Sequence, residues 1–166
     1  LIMAHGSDEQ KARWLPQMAA GGRRGALSLS EPDAGSDTRN ISCKAVRDGD
    51  EYVLDGVKAW VTNGERAGIV ALAARTEEGI STFVVEKEPH RGHDFECTQP
   101  GGGKMSGKAD ATIGYRGMHS FTVQLENWFV PATHLVGGEG GLGKGFYLQM
   151  GGFAAGRLQT GGRACG

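Results

Sequence analysis

The stretch Tyr52-Val-Leu-Asp-Gly-Val-Lys-Ala-Trp-Val-Thr62 decides the fold class, because its period is that of a strand and not of a helix. Asp55-Gly56 within it is the dipeptide of a two-residue type I′ hairpin. The sequence therefore predicts two strands, 52–54 and 57–62, joined by that turn. In the second, alternation puts Trp60 and Thr62 on one face and Val61 on the other. Working outward, 69–75 and 81–87 read as further strands separated by Glu77-Glu78-Gly79. Residues 121–130 alternate cleanly, with Phe121, Val123 and Leu125 against Thr122, Gln124 and Glu126, and stop before Pro131. Toward the N-terminus, 26–30 is a short apolar run, and 40–47 leads to a turn at Asp48-Gly49. Short strands with turns at close intervals imply an antiparallel barrel or sandwich. No segment reads as a βαβ unit. The glycine- and lysine-rich stretch 101–112 has no period and reads as a mobile surface loop, and 137–145 reads as a second flexible stretch.

Helical signals lie at the two ends. Ser7 is a good N-cap, Asp8 and Glu9 meet the helix dipole, and Gln10 sits where it would complete a capping box. The helix predicted over 7–19 carries Trp14, Leu15 and Met18 on one stripe. Pro16 is expected to kink or end it, and Gly21-Gly22 to stop it in any case. Phe146, Met150, Phe153 and Leu158 predict an amphipathic helix running to the C-terminus. The expected fold class is α+β: a central antiparallel β barrel or sandwich flanked by N- and C-terminal helical segments. The expected division is 1–24, 25–136 and 137–166. Both ends read as cut, since the chain starts at Leu1 and ends at Gly166 inside an unfinished helix.

Composition narrows the function classes. A chain of 166 residues supports one domain with a real core. A net charge of -1 gives no electrostatic reason for nucleic acid or an anionic membrane as partner. No apolar run approaches the roughly 20 residues of a membrane span, and no signal peptide is visible. Cys43, Cys97 and Cys165 are odd in number and far apart, which fits idle thiols in a reducing compartment better than disulfides or a metal site. His5, His90, His93, His119 and His134 are scattered, and His90 and His93 read as solvated loop residues rather than a metal pair. Glycine is the outlier at 29 residues, a share well above the usual ~7%. The run Gly137-Gly-Glu-Gly-Gly-Leu-Gly-Lys-Gly145 lacks the Ser or Thr after Lys144 and the βαβ context of a phosphate loop, so it reads as a hinge.

Two segments carry chemistry. In Ala26-Leu-Ser-Leu-Ser-Glu-Pro-Asp-Ala-Gly-Ser-Asp37, Ser30 and Ser36 offer hydroxyls and the turn opens backbone N–H groups; a plain strand end with a capped turn is the simpler reading. In Gly56-Val-Lys-Ala-Trp-Val-Thr-Asn-Gly64, Trp60 could cover a ring face while Thr62 reaches its edge; a core aromatic and a β-former are the simpler reading. Together they supply a ring to lie against and donors for a polar rim.

In this order and spacing the two segments resemble the flavin-contacting segments of the acyl-CoA dehydrogenase family, which commonly read A-L/M-T-E-P-x-A-G-S-D and G-x-K-x-W-I-T-N. The resemblance covers essentially the whole chain. His5 to Lys11 with Leu15-Pro16 resembles the helix before the first motif. Ile113-Gly-Tyr-Arg-Gly117 with Val130-Pro131 resembles the last strands of the β domain. Gly143-Lys-Gly-Phe146 and Gly156-Arg-Leu-Gln-Thr160 resemble the entry to the C-terminal helical domain. The resemblance implies FAD as cofactor. Leu27, Leu29, Ser30, Gly35 and Ser36 would line it, with Ser30 at its pyrimidine edge in place of the usual threonine. Trp60 and Val61 would pack beside the ring system, and Thr62 would hydrogen-bond near N5. Ser36 would also approach the CoA part of the substrate. Arg157 would either help place substrate or form a surface salt bridge, and His119-Ser120 falls where members vary near the substrate.

The implied reaction is α,β-dehydrogenation of an acyl-CoA thioester, in which a carboxylate takes the α-proton and the β-hydrogen leaves as hydride to flavin N5. The implied partners are an acyl-CoA, an electron-transfer flavoprotein and further copies of the enzyme. The base is expected beyond Gly166, since the alternative position before the family arginine is Gly156 here, and Glu31 belongs to the flavin motif. The fragment alone is therefore expected to be inactive. An acyl-CoA oxidase or flavin monooxygenase-like relative would share these segments, and a non-catalytic flavin- or CoA-binding remnant stands as a third reading. The expected compartment is the bacterial cytoplasm, with the mitochondrial matrix as the alternative.

Overall fold

A computed structural model describes residues 1–114 and 118–165. The short helix α1 (Ile2–His5) precedes α2 (Asp8–Ala19). Strands β1 (Arg24–Ser28), β2 (Lys44–Asp48), β3 (Glu51–Thr62), β4 (Ala67–Thr76), β5 (Gly79–Glu86), β6 (Asp94–Thr98), β7 (Lys104–Ala109) and β8 (Ser120–Pro131) follow, and α3 (Gly145–Ala164) closes the chain. The strands form one sheet in the order β1-β4-β2-β3-β8-β7-β6, with β5 also paired to β4. The sheet curls into a half-barrel. The helix-flanked β domain is as expected, but β1 and β2 both pair with β4 in parallel, so the sheet is mixed.

The inside of the curve holds Tyr52, Leu54, Val61, Leu72, Phe83, Phe95, Phe121, Val123 and Trp128 in one apolar cluster. Strand β4 is buried on both faces, which explains the near-continuous apolar run Ala67-Gly-Ile-Val-Ala-Leu-Ala-Ala74. Its inner residues Val70 and Leu72 join the main cluster. Ile69 packs with Trp14 of α2, and Ala73 packs with Phe146, Met150 and Phe153 of α3. Leu158, expected on the same stripe of α3, is exposed.

Helix α2 starts as its sequence dictates. Gln10 N–H donates to the Ser7 hydroxyl at 3.2 Å, and Ser7 N–H donates to Gln10 Oε1 at 3.0 Å. Pro16 neither ends nor breaks the helix, which runs on to Ala19; Trp14, Leu15 and Met18 anchor the turns on either side of it in the second apolar cluster. The Gln10 amide also leaves its own helix. Its Nε2 donates to Thr133 O at 2.8 Å and Leu135 O at 2.6 Å, and its Oε1 accepts from Gly137 N–H at 3.2 Å. His134, in the same segment, is buried edge-on to Trp14, and burial lowers its pKa below the usual imidazole range.

Four sequence expectations are corrected. Asp55-Gly56 is not a hairpin, because β3 runs unbroken from Glu51 to Thr62. Asp55 lies opposite a bulge of β8, where Glu126 and the left-handed Asn127 (φ 47°) together face it, and its carboxylate accepts Asn127 N–H at 2.8 Å. Glycine is needed there for close approach as well as for its φ of 146°: an added Cβ would lie 2.6 Å from Cys43 Cα. Gly56→Ala is expected to lower stability by about 1–3 kcal/mol in denaturant unfolding; an unchanged midpoint would show that the bulge can relax. Second, the stretch 101–112 contains β7, paired on both sides, with Met105 buried inside the barrel. Third, β6 was not read at all: Asp94-Phe-Glu-Cys-Thr98 has one large core residue, Phe95, and otherwise polar neighbours. Fourth, 137–145 is an ordered linker. Its glycines serve close packing, since a Cβ on Gly145 would lie 2.5 Å from the Ser81 carbonyl carbon. Of the segment 113–117, residues 115–117 lie outside the described residues.

Candidate functional site

The two segments read from the sequence meet in space. Beyond β1 the chain makes a tight turn in which Glu31 and Ala34 exchange backbone hydrogen bonds at 3.0 and 3.1 Å. Ser30 O accepts the Ala59 N–H of β3 at 2.9 Å. The Lys58 ammonium donates to Leu29 O at 3.2 Å and to Glu31 Oε1 at 2.8 Å. The Glu31 carboxylate also accepts the Ser42 hydroxyl at 2.8 Å and Cys43 N–H at 2.9 Å. The Lys58 side chain is 0% exposed and that of Glu31 3%. This buried knot ties the turn after β1, the approach to β2 and the end of β3 into one rigid edge.

Burial alone pushes the Glu31 carboxyl up; the Lys58 ammonium and the Ser42 donors outweigh it and hold the group below the usual carboxylate range. Burial pushes the neighbouring Cys43 thiol up to about 11, so it stays protonated and inert. Sequence reasoning missed the Lys58–Glu31 pair. The available signal was a lysine in the buried phase of an apolar strand, which demands a counter-charge.

Trp60 is the exception in this rigid edge. It has φ of 59°, a left-handed conformation that bulky residues avoid. The strain comes from a second bulge, where Ala59 and Trp60 together face Thr122 between the pairs Lys58↔Val123 and Val61↔Phe121. The result is an indole 60% exposed between a buried Ala59 and a buried Val61. Thr62, next on the outer face, is exposed as well. The hydroxyls of Ser30, Ser36 and Thr62 have no hydrogen-bond partner among the described residues. A strained, exposed aromatic beside unpartnered hydroxyls on a stiff frame fits a flat ligand with a polar rim.

The other expected site residues divide by orientation. Leu27, Gly35 and Ser36 are exposed. Leu29 and Val61 are buried in the third cluster and the main cluster respectively. Their side chains therefore face away from the outer surface, and what they offer there is backbone. Arg157 is exposed on the distal half of α3, with no bond to either segment. The His93 and His119 rings meet edge-on at 4.8 Å. Among the described residues no three His, Cys, Asp or Glu side chains gather as a metal site, and Cys43, Cys97 and Cys165 are unbridged. No helix among the described residues is long and apolar enough to cross a membrane.

The sequence matches the family model of the acyl-CoA dehydrogenase middle domain over residues 26–128. The chain belongs to the acyl-CoA dehydrogenase family. Among similar family members, the (2S)-methylsuccinyl-CoA dehydrogenase of Cereibacter sphaeroides is 38% identical over 172 aligned positions, covering 100% of this chain and 30% of that protein. A probable acyl-CoA dehydrogenase from Mycobacterium abscessus superposes with a TM-score of 0.78 at 34% identity, covering 95% of this chain and 39% of the other. A glutaryl-CoA dehydrogenase from Mycobacterium smegmatis, solved in complex with FADH2, superposes with a TM-score of 0.69 at 32% identity, covering 81% of this chain and 32% of the other. The chain thus spans about a third of the length of the acyl-CoA dehydrogenases it matches.

Proposed function

We propose that this chain is the FAD-binding middle part of an acyl-CoA dehydrogenase acting in α,β-dehydrogenation of an acyl-CoA thioester. The observation that carries the reading is the left-handed, exposed Trp60 beside Thr62, on a strand end bonded directly to the Ser30 turn. Leu27, Leu29, Ser30, Gly35, Ser36, Trp60, Val61 and Thr62 form the cofactor face in this reading. Trp60 covers a ring face. The hydroxyls of Ser30 and Thr62 satisfy the polar rim, and the backbone of Leu29 and Val61 fixes its height above the sheet. Ser36 lies at the border with the CoA part, and Arg157 of α3 contributes to substrate placement. FAD, when bound, supplies the hydride acceptor.

None of these residues is the base. The Glu31 carboxylate is held by Lys58, Ser42 and Cys43, so its place is structural. The Lys58–Glu31 knot excludes water from beneath the cofactor face and keeps Trp60 and Ser30 in register. The residue division proposed is 1–24, 25–136 and 137–166. An electron-transfer flavoprotein is the proposed electron acceptor, further copies of the protein complete the assembly, and the bacterial cytoplasm is the proposed compartment, with the mitochondrial matrix as the alternative.

The test is anaerobic addition of a panel of short, branched and dicarboxylic acyl-CoA thioesters to the FAD-loaded full-length enzyme that contains this chain. At least one is expected to bleach the oxidised-flavin absorbance in a single turnover. Absence of bleaching by every member, with FAD bound stoichiometrically, would overturn the dehydrogenase reading.

A further inference from the structure

We infer that Ser120 is a further cofactor-positioning residue, its hydroxyl standing beside that of Thr62 at the same edge of the bound flavin. The inference rests on the FAD reading of the Trp60–Thr62 strand end and extends it across the sheet to β8.

The register carries the argument. Ser120 of β8 lies directly opposite Thr62 of β3, one step beyond the Val61↔Phe121 pair. Residues directly opposite in antiparallel strands project to the same face with Cβ atoms about 4.5–5.5 Å apart. Val61 and Phe121 both point into the core, so the next pair, Thr62 and Ser120, points outward together. Thr62 is exposed and Ser120 half-buried, in keeping with that phase.

Ser120 is also held from both edges. Its carbonyl accepts Asp110 N–H at 2.8 Å, and the preceding carbonyl, of His119, accepts Asn63 N–H at 2.8 Å. Asn63 is itself left-handed, with φ of 56°, and the turn it starts carries the chain from Thr62 into β4. The backbone is thereby fixed while the Ser120 hydroxyl has no hydrogen-bond partner among the described residues. A hydroxyl with no hydrogen-bond partner among the described residues, fixed beside a second one of the same kind, supplies a donor and an acceptor to a ligand edge.

The test compares Ser120→Ala, Ser120→Cys, Ser120→Thr and Thr62→Ala by FAD titration and by the reduction potential of the bound flavin. Ser120→Ala is expected to weaken FAD binding by about threefold to tenfold and to shift the potential, because one hydrogen bond to the rim is lost. Ser120→Cys, of similar size with a weaker donor, is expected to resemble it, and Ser120→Thr to behave as the parent. A purely structural role would lower apo stability without moving the potential. Parental affinity and potential in Ser120→Ala, or in Ser120→Cys should the alanine variant fail to fold, overturn the inference if Thr62→Ala is impaired. Parental behaviour in Thr62→Ala as well overturns the cofactor assignment beneath it.

Discussion

Lys58→Met lowers the stability of the fold by about 3–5 kcal/mol, as expected when one partner of a buried ion pair is removed and the other is left in place. The Lys58 ammonium is wholly buried between Leu29 O and Glu31 Oε1. Without it, the Glu31 carboxylate keeps the Ser42 and Cys43 donors and loses its counter-charge. Replacing both partners, with Lys58→Met and Glu31→Leu together, costs less than the sum of the single changes, because no bare charge then remains.

The same pair gives the sign of the acid response. The folded pKa of Glu31 lies below its ordinary value of 4.5: burial raises it, and Lys58 and Ser42 lower it by more. The unfolded chain therefore takes up the proton first as pH falls. The contribution is complete above the ordinary value and is lost as pH drops through the folded value. In Lys58→Met burial is no longer opposed by the ammonium, so the folded pKa of Glu31 rises and the acid-dependent loss of stability shrinks. Denaturant unfolding at neutral and acid pH checks both statements. A change under about 1 kcal/mol, with the acid limb unmoved, would show that the pair contributes little.

Trp60→Ala combined with Thr62→Ala is expected to weaken FAD binding by about thirtyfold or more, the combined effect of losing one aromatic contact and one hydrogen bond. The fold itself should tolerate the change. Trp60 is 60% exposed, and its φ of 59° is unfavourable for any side chain. Trp60→Gly, which accepts that conformation freely, should hold or raise thermal stability while binding FAD as poorly as the single change Trp60→Ala. Loss of stability together with loss of binding would mean that the indole supports the core. Retention of full affinity would remove Trp60 from the cofactor face.

Much of this was legible in the sequence, and the misses have physical causes. The Ser7–Gln10 box and the alternation of β8 are local, and local rules read them; the exposure of Trp60 is set by the bulge against β8, which alternation alone does not show. Asp55-Gly56 has the composition of a hairpin, but pairing with another strand keeps it within β3, opposite a bulge at Asn127. Met105 and Gly107 belong to a strand only because β6 and β8 flank them. Leu27 and Leu29 look equivalent in the motif, yet β1 ends at Ser28, and past that end the chain leaves the strand and buries Leu29 while Leu27 stays exposed. The Lys58–Glu31 bond links residues 27 apart, and only the folded chain brings them together. The place of Ser120 beside Thr62 comes from the cross-strand register, which the sequence of β8 alone does not contain.

One amide ties distant parts of the chain into a single mechanical unit. The Gln10 side chain fills all four of its hydrogen-bonding positions, one on its own helix start and three on a segment over 120 residues away. The peptides it grips immediately precede the linker into α3. Helix α2 is thus tied directly to the approach to α3 by the Gln10 side chain. Because α2 also packs on Ile69 of β4 and α3 on Ala73 and Leu29, this strut adds a direct link between two elements that already share the sheet, so a shift of either is felt at the turn that carries Ser30.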